Sequence, residues 1–71
     1  MRYDLSKFPQ RLKQAREKRK LSRNKLEELS LMPTASILAY ETGKRLPNTL
    51  NLIILAENLG VSLEWLCGND V

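Results

Sequence analysis

The run Leu21-Ser22-Arg23-Asn24-Lys25-Leu26-Glu27-Glu28-Leu29-Ser30-Leu31-Met32-Pro33-Thr34-Ala35-Ser36-Ile37-Leu38-Ala39-Tyr40-Glu41-Thr42-Gly43-Lys44-Arg45-Leu46-Pro47 decides the fold. Ser22 supplies a capping oxygen, and Leu26 and Leu29 follow three apart. That spacing predicts a helix over 22–30 with both leucines facing inward. Leu31-Met32-Pro33 is a turn. A second helix is predicted over 34–41, with Ile37 and Tyr40 as its inward pair. Thr42-Gly43 ends it, Gly43 suiting the left-handed conformation that closes many helices. Lys44-Arg45-Leu46-Pro47 then forms an exposed basic loop.

Outward from this run the same grammar repeats. On the N-terminal side, Ser6 is the expected cap of a helix over about 6–19, with Pro9 in the first turn, where its missing N–H costs little. Phe8, Leu12 and Ala15 give that helix one apolar face, and Lys18, Arg19 and Lys20 complement the dipole at its end. On the C-terminal side, Asn48 or Thr49 caps a helix over about 49–59 with an apolar stripe of Leu52, Leu55, Ala56 and Leu59. Gly60 stops it. Ser62 caps a last helix over about 62–67, with Leu63 and Leu66 three apart and Trp65 between them. No stretch alternates with the period of a strand. The reading is all-α, a compact bundle of about five short helices forming one domain over 1–71.

Bulk properties agree. A chain of 71 residues suits one domain, and chains this short bury only about 60% of their unfolded surface. The formal charge is +4, unevenly spread. Residues 1–25 carry ten cations against two carboxylates, whereas residues 26–71 carry two against six. A basic half fits a polyanionic partner; the plainer alternative is a solvated surface on the first helix. Cys67 is the single cysteine, so no internal disulfide can form, and it reads as a small apolar filler in a reducing compartment. No apolar run has the length of a membrane span, and no signal-peptide core follows Met1. A cytoplasmic location is expected, with no membrane partner. There is no histidine, no phosphate loop, no usefully spaced carboxylate pair and no metal-ligand cluster. Catalysis, cofactors and bound metals are accordingly not expected.

Two short helices joined by a tight turn make a helix-turn-helix unit, here about 22–41, whose second helix can lie in the DNA major groove. The residues strengthen this. Leu21-Ser22, Leu26, Ile37 and the run Tyr40-Glu41-Thr42-Gly43-Lys44-Arg45-Leu46-Pro47 resemble the lambda-repressor-like (Cro/repressor, Xre) helix-turn-helix family. The tail Leu52, Leu55-Ala56, Leu59-Gly60-Val61-Ser62 and Trp65-Leu66 continues the resemblance, which covers about residues 8–68. It implies a DNA-binding transcriptional regulator of the kind found in phages and prophages, with repression the default because occluding a promoter needs only binding.

The resemblance assigns roles by position. The helix at 34–41 is implied to read bases through Thr34, Ala35, Ser36, Leu38 and Ala39. Phosphate contacts are implied for Ser22 and Arg23 at the start of the preceding helix, where free N–H groups and the dipole attract anions, and for Lys44 and Arg45. Arg16 and Glu41 occupy the positions of a structural ion pair. Double-stranded DNA is the implied partner, bound as a homodimer on a palindrome. Leu50, Ile53, Ile54 and Leu63, with Trp65, either form that dimer interface or fill the core. With no separate sensor domain, no small-molecule ligand is expected.

Three positions depart from the family pattern. Leu31 stands where glycine is usual, so either the turn differs or the second helix runs on. Pro33 stands where a Ser or Thr cap is usual, leaving Thr34 to substitute one residue later. Arg23 stands where glutamine is usual and keeps the phosphate role with added charge. The reading face also lacks the Arg, Gln and Asn groups that make bidentate base contacts. A T/A-rich or weakly specified site is expected, with much of the affinity from phosphates and a strong salt dependence. The rival reading is an antitoxin-like or partner-binding helix-turn-helix module that docks another protein through its apolar face and binds DNA weakly or not at all.

Overall fold

The computed structural model describes residues 3–69. After a 3-10 turn at Leu5–Lys7 come five helices, α1 (Phe8–Lys18), α2 (Arg23–Ser30), α3 (Thr34–Glu41), α4 (Thr49–Leu59) and α5 (Leu63–Leu66). The described residues contain no strand, and no helix among them is long and apolar enough to cross a membrane.

Side-chain caps set three of the helix starts. The Ser22, Asn48 and Ser62 oxygens accept from the backbone N–H groups of Lys25, Asn51 and Trp65, three residues on in each case. Each bond satisfies a donor that the first helical turn leaves without a partner. The N-terminus differs from expectation. Asp4, not Ser6, is the capping residue, its carboxylate accepting from both the backbone N–H and the hydroxyl of Ser6 at 3.1 and 2.6 Å. The first helical turn is of the tighter 3-10 kind, so Ser6 lies inside it and α1 proper begins at Phe8 with Pro9 in its first turn.

The core gathers Phe8, Leu12 and Ala15 of α1, Leu26 of α2, Ile37 and Tyr40 of α3, Leu55, Ala56 and Leu59 of α4, and Leu66 of α5, with Met32 from the turn. Phe8 meets Tyr40 edge to face at 6.3 Å between ring centroids, a preferred aromatic geometry. α1 and α2 both pack on α3, and α4 closes the far side against α2 and α5. One inward assignment fails. Leu29 is 45% exposed, whereas Ser30 is buried. The inward face of α2 steps four residues from Leu26 to Ser30. The Ser30 hydroxyl donates to the Leu26 carbonyl at 2.6 Å, which makes its burial tolerable, and Met32 fills the space beyond.

The helix ends use left-handed residues, only some of them glycine. Gly43 takes φ +78° after α3, as its place in the sequence predicts. The N–H groups of Gly43 and Lys44 return to the carbonyls of Tyr40 and Ala39, the paired bonds of a Schellman end. Leu31 takes φ +58° at the end of α2, and Lys20 takes φ +58° after α1. The turn is therefore the family's left-handed turn built with leucine, and α2 does not run on. For an L-residue this conformation costs roughly 1–2 kcal/mol. At the opposite pole the chain ends meet. The Asp4 N–H donates to the Gly68 carbonyl, and a Cβ at Gly68 would lie 1.9 Å from the Asp4 carbonyl oxygen.

Cys67 is half-buried. Burial, with a smaller contribution from the Glu64 charge, pushes its thiol above the ordinary value. That suits a filler and not a reactive thiol.

Candidate nucleic-acid interface

α3 is held against the bundle by a carboxylate at its last position. Glu41, with a side chain only 1% exposed, receives the Arg16 guanidinium in a two-pronged contact. Nε donates to Oε2 at 2.6 Å and Nη2 to Oε1 at 3.2 Å. The remaining Arg16 Nη1 donates to the Leu21 carbonyl at 2.7 Å. One guanidinium therefore fastens α1 to the α1–α2 turn and to α3. The hydrogen bond to Glu41 raises Arg16 above its ordinary value, against the opposing effect of burial. No buried side-chain nitrogen or oxygen among the described residues lacks a partner, the condition under which a buried ion pair is tolerated.

Arg23 shares the same carboxylate, its Nε donating to Glu41 Oε1 at 2.9 Å. The sequence reading assigned Arg23 to phosphate and did not foresee this tie. Its side chain remains 36% exposed, so the guanidinium is anchored at one edge and open at the other. Past the end of α3, Arg45 lies over the Tyr40 ring at 5.6 Å, a cation–π distance. Arg23 and Arg45 therefore both rest on the last turn of α3, on neighbouring residues. Lys44 is exposed beside Arg45. The Ser22 hydroxyl is occupied as the α2 cap, which leaves backbone N–H groups as the anion-attracting feature of that helix start.

Along α3 itself, Ala35 and Leu38 are exposed and Thr34, Ser36 and Ala39 half-buried. Thr34 does not cap the helix in place of Pro33. Pro33 occupies the cap position and no side chain caps α3. The Thr34 hydroxyl turns to α2 instead, where its acceptors are Asn24 Oδ1 at 3.0 Å and the Glu27 carboxylate. A donor paired with a carboxylate gains more than one at an uncharged cap. Asn24 and Glu27 are thus part of the site, and their spacing of three on α2 was the available signal.

The residues expected at a dimer interface divide. Leu50 and Ile53 are 64% and 37% exposed, whereas Ile54, Leu63 and Trp65 pack partly against the core. Trp65 also lies beneath the Arg11 guanidinium, which donates to its carbonyl at 2.6 Å.

A family model described as helix-turn-helix matches residues 12–66. No curated protein and no solved structure gives a match.

Proposed function

The chain belongs to the Cro- and repressor-type helix-turn-helix family, and on that premise we propose that it is a transcriptional repressor occupying a palindromic operator as a two-fold dimer. Members of this family are DNA-binding regulators, and DNA binding is the activity the match supports. The observation that carries the fuller reading is the pair of cations resting on the last turn of α3, Arg23 on Glu41 and Arg45 on Tyr40. Cations tethered to a helix that enters the major groove meet the phosphates flanking that groove with little freedom left to lose. Lys44 and the N–H groups at the start of α2 add further phosphate contacts. Ala35, Leu38 and Ala39, with Thr34 and Ser36, face the base edges.

Repression follows because a bound protein of this size blocks a promoter without any other activity. Dimerisation is supported by Leu50 and Ile53, apolar and outward on α4, with Ile54, Leu63 and Trp65 at the rim beside them. A two-fold pair sets the two α3 helices about one DNA turn, roughly 34 Å, apart.

Fluorescence-anisotropy titration against duplex DNA over a salt series tests the reading. Binding is expected at low salt and weakens steeply as salt rises. Lys44→Ala and Arg45→Ala should each weaken binding across all sequences and flatten the log–log salt slope by about 0.9. Absence of binding at the lowest salt overturns the repressor reading. It would favour the partner-docking alternative, for which the exposed Leu38 and Leu46 are the supporting observation.

A further inference from the structure

We infer that the reading face of α3 recognises the 5-methyl group of pyrimidines and does not distinguish thymine from 5-methylcytosine. This rests on the proposal that α3 enters the major groove. The only hydroxyl-bearing residues on α3 are Thr34 and Ser36. The Thr34 proton is committed to acceptors on α2, Glu27 and Asn24. Its methyl group is what remains for a ligand. Thr42, just beyond the helix, directs its hydroxyl back to the Leu38 and Ala39 carbonyls. Ala35 and Leu38 are exposed and carry methyl groups alone, and Leu38, 44% exposed, reaches furthest.

In the major groove thymine presents a 4-oxo acceptor and a 5-methyl group, and cytosine a 4-amino donor. Telling the oxo from the amino group takes a fixed donor or a fixed acceptor. Ser36 is neither, since a hydroxyl rotates to donate or to accept. The pyrimidine feature that this face can distinguish is therefore the methyl group, which apolar side chains remove from water. Occupancy of an operator would then respond to cytosine 5-methylation as though cytosine had become thymine.

The test begins by selecting bound duplexes from random DNA. Each thymine of the bound site is then replaced singly by uracil, and each T·A pair by 5-methylcytosine·guanine or by cytosine·guanine. Where α3 covers the base, uracil should weaken binding about fourfold, the equivalent of one buried methyl-sized group. The 5-methylcytosine pair should bind within about twofold of T·A, and the cytosine pair should lose as much as uracil does. In Leu38→Ala, an exposed position whose truncation spares the core, the difference between thymine and uracil should shrink. Uracil equal to thymine at every position, or 5-methylcytosine bound no better than cytosine, overturns the inference while leaving DNA binding intact. Failure to enrich any duplex overturns the DNA reading and this inference together.

Discussion

Leu31 is 89% exposed and held at φ +58°, so this leucine buries little and bears a backbone penalty. Leu31→Gly should therefore raise stability. Relief of the left-handed penalty, roughly 1–2 kcal/mol, exceeds the roughly 0.5–1 kcal/mol of extra chain entropy that glycine loses on folding. Thermal unfolding should show a rise of several degrees, about 4–8 °C per kcal/mol for a domain of this size; an unchanged or lower midpoint would contradict the account. Residues of this kind mark where the sequence stops being legible. Gly43 could be read because glycine is the residue that favours a left-handed end. Leu31 and Lys20 could not, because nothing in a leucine or lysine side chain announces φ +58°. The reversal of Leu29 and Ser30 has a similar cause. Apolar periodicity assigns leucine inward, and only the hydroxyl bond to the Leu26 carbonyl explains how serine takes that place.

For α3 as an element, periodicity and caps account for its length and inward pair but not for what fixes its pose. Its inner side is secured by Phe8–Tyr40 contact and by Glu41, and two arginines from different elements converge on that carboxylate. Glu41→Gln leaves Arg16 buried without a counter-charge, and breaking such a pair costs about 3–5 kcal/mol. Chemical denaturation should show this as a large drop in midpoint. Arg23→Gln removes only the partly exposed partner and should leave the midpoint close to that of the parent chain. Equal losses for the two variants would mean that Arg23, and not Arg16, is the structural cation. The Arg16–Glu41 pair was implied by position alone. The diversion of Arg23 to the same carboxylate was not, because the sequence shows which residues carry charge and not which neighbours they reach. For the same reason Thr34 was legible as a residue of α3 but not as one whose proton belongs to α2.

Over the whole molecule, the first 25 residues carry ten cations against two carboxylates, and the remainder two against six. This asymmetry of charge gives the protein an electrical orientation as it approaches a polyanion, which favours encounters through the basic side. The proposed dimer surface is on the more acidic stretch, so pairing and DNA approach draw on different charge. Leu50→Glu, at a position 64% exposed, should keep the thermal midpoint of the isolated chain while shifting sedimentation toward the monomer; a dimer that persists would move the interface elsewhere. The meeting of Asp4 and Gly68 has a consequence of another kind. Because the two ends of the described chain touch, the domain is topologically close to a ring. Segments fused before residue 3 and after residue 69 would leave side by side, and a short peptide joining them would make a circular chain in which the old ends are an ordinary surface loop. New termini could then be opened in the exposed segment at 44–46, turning the order of the helices inside out without changing their packing.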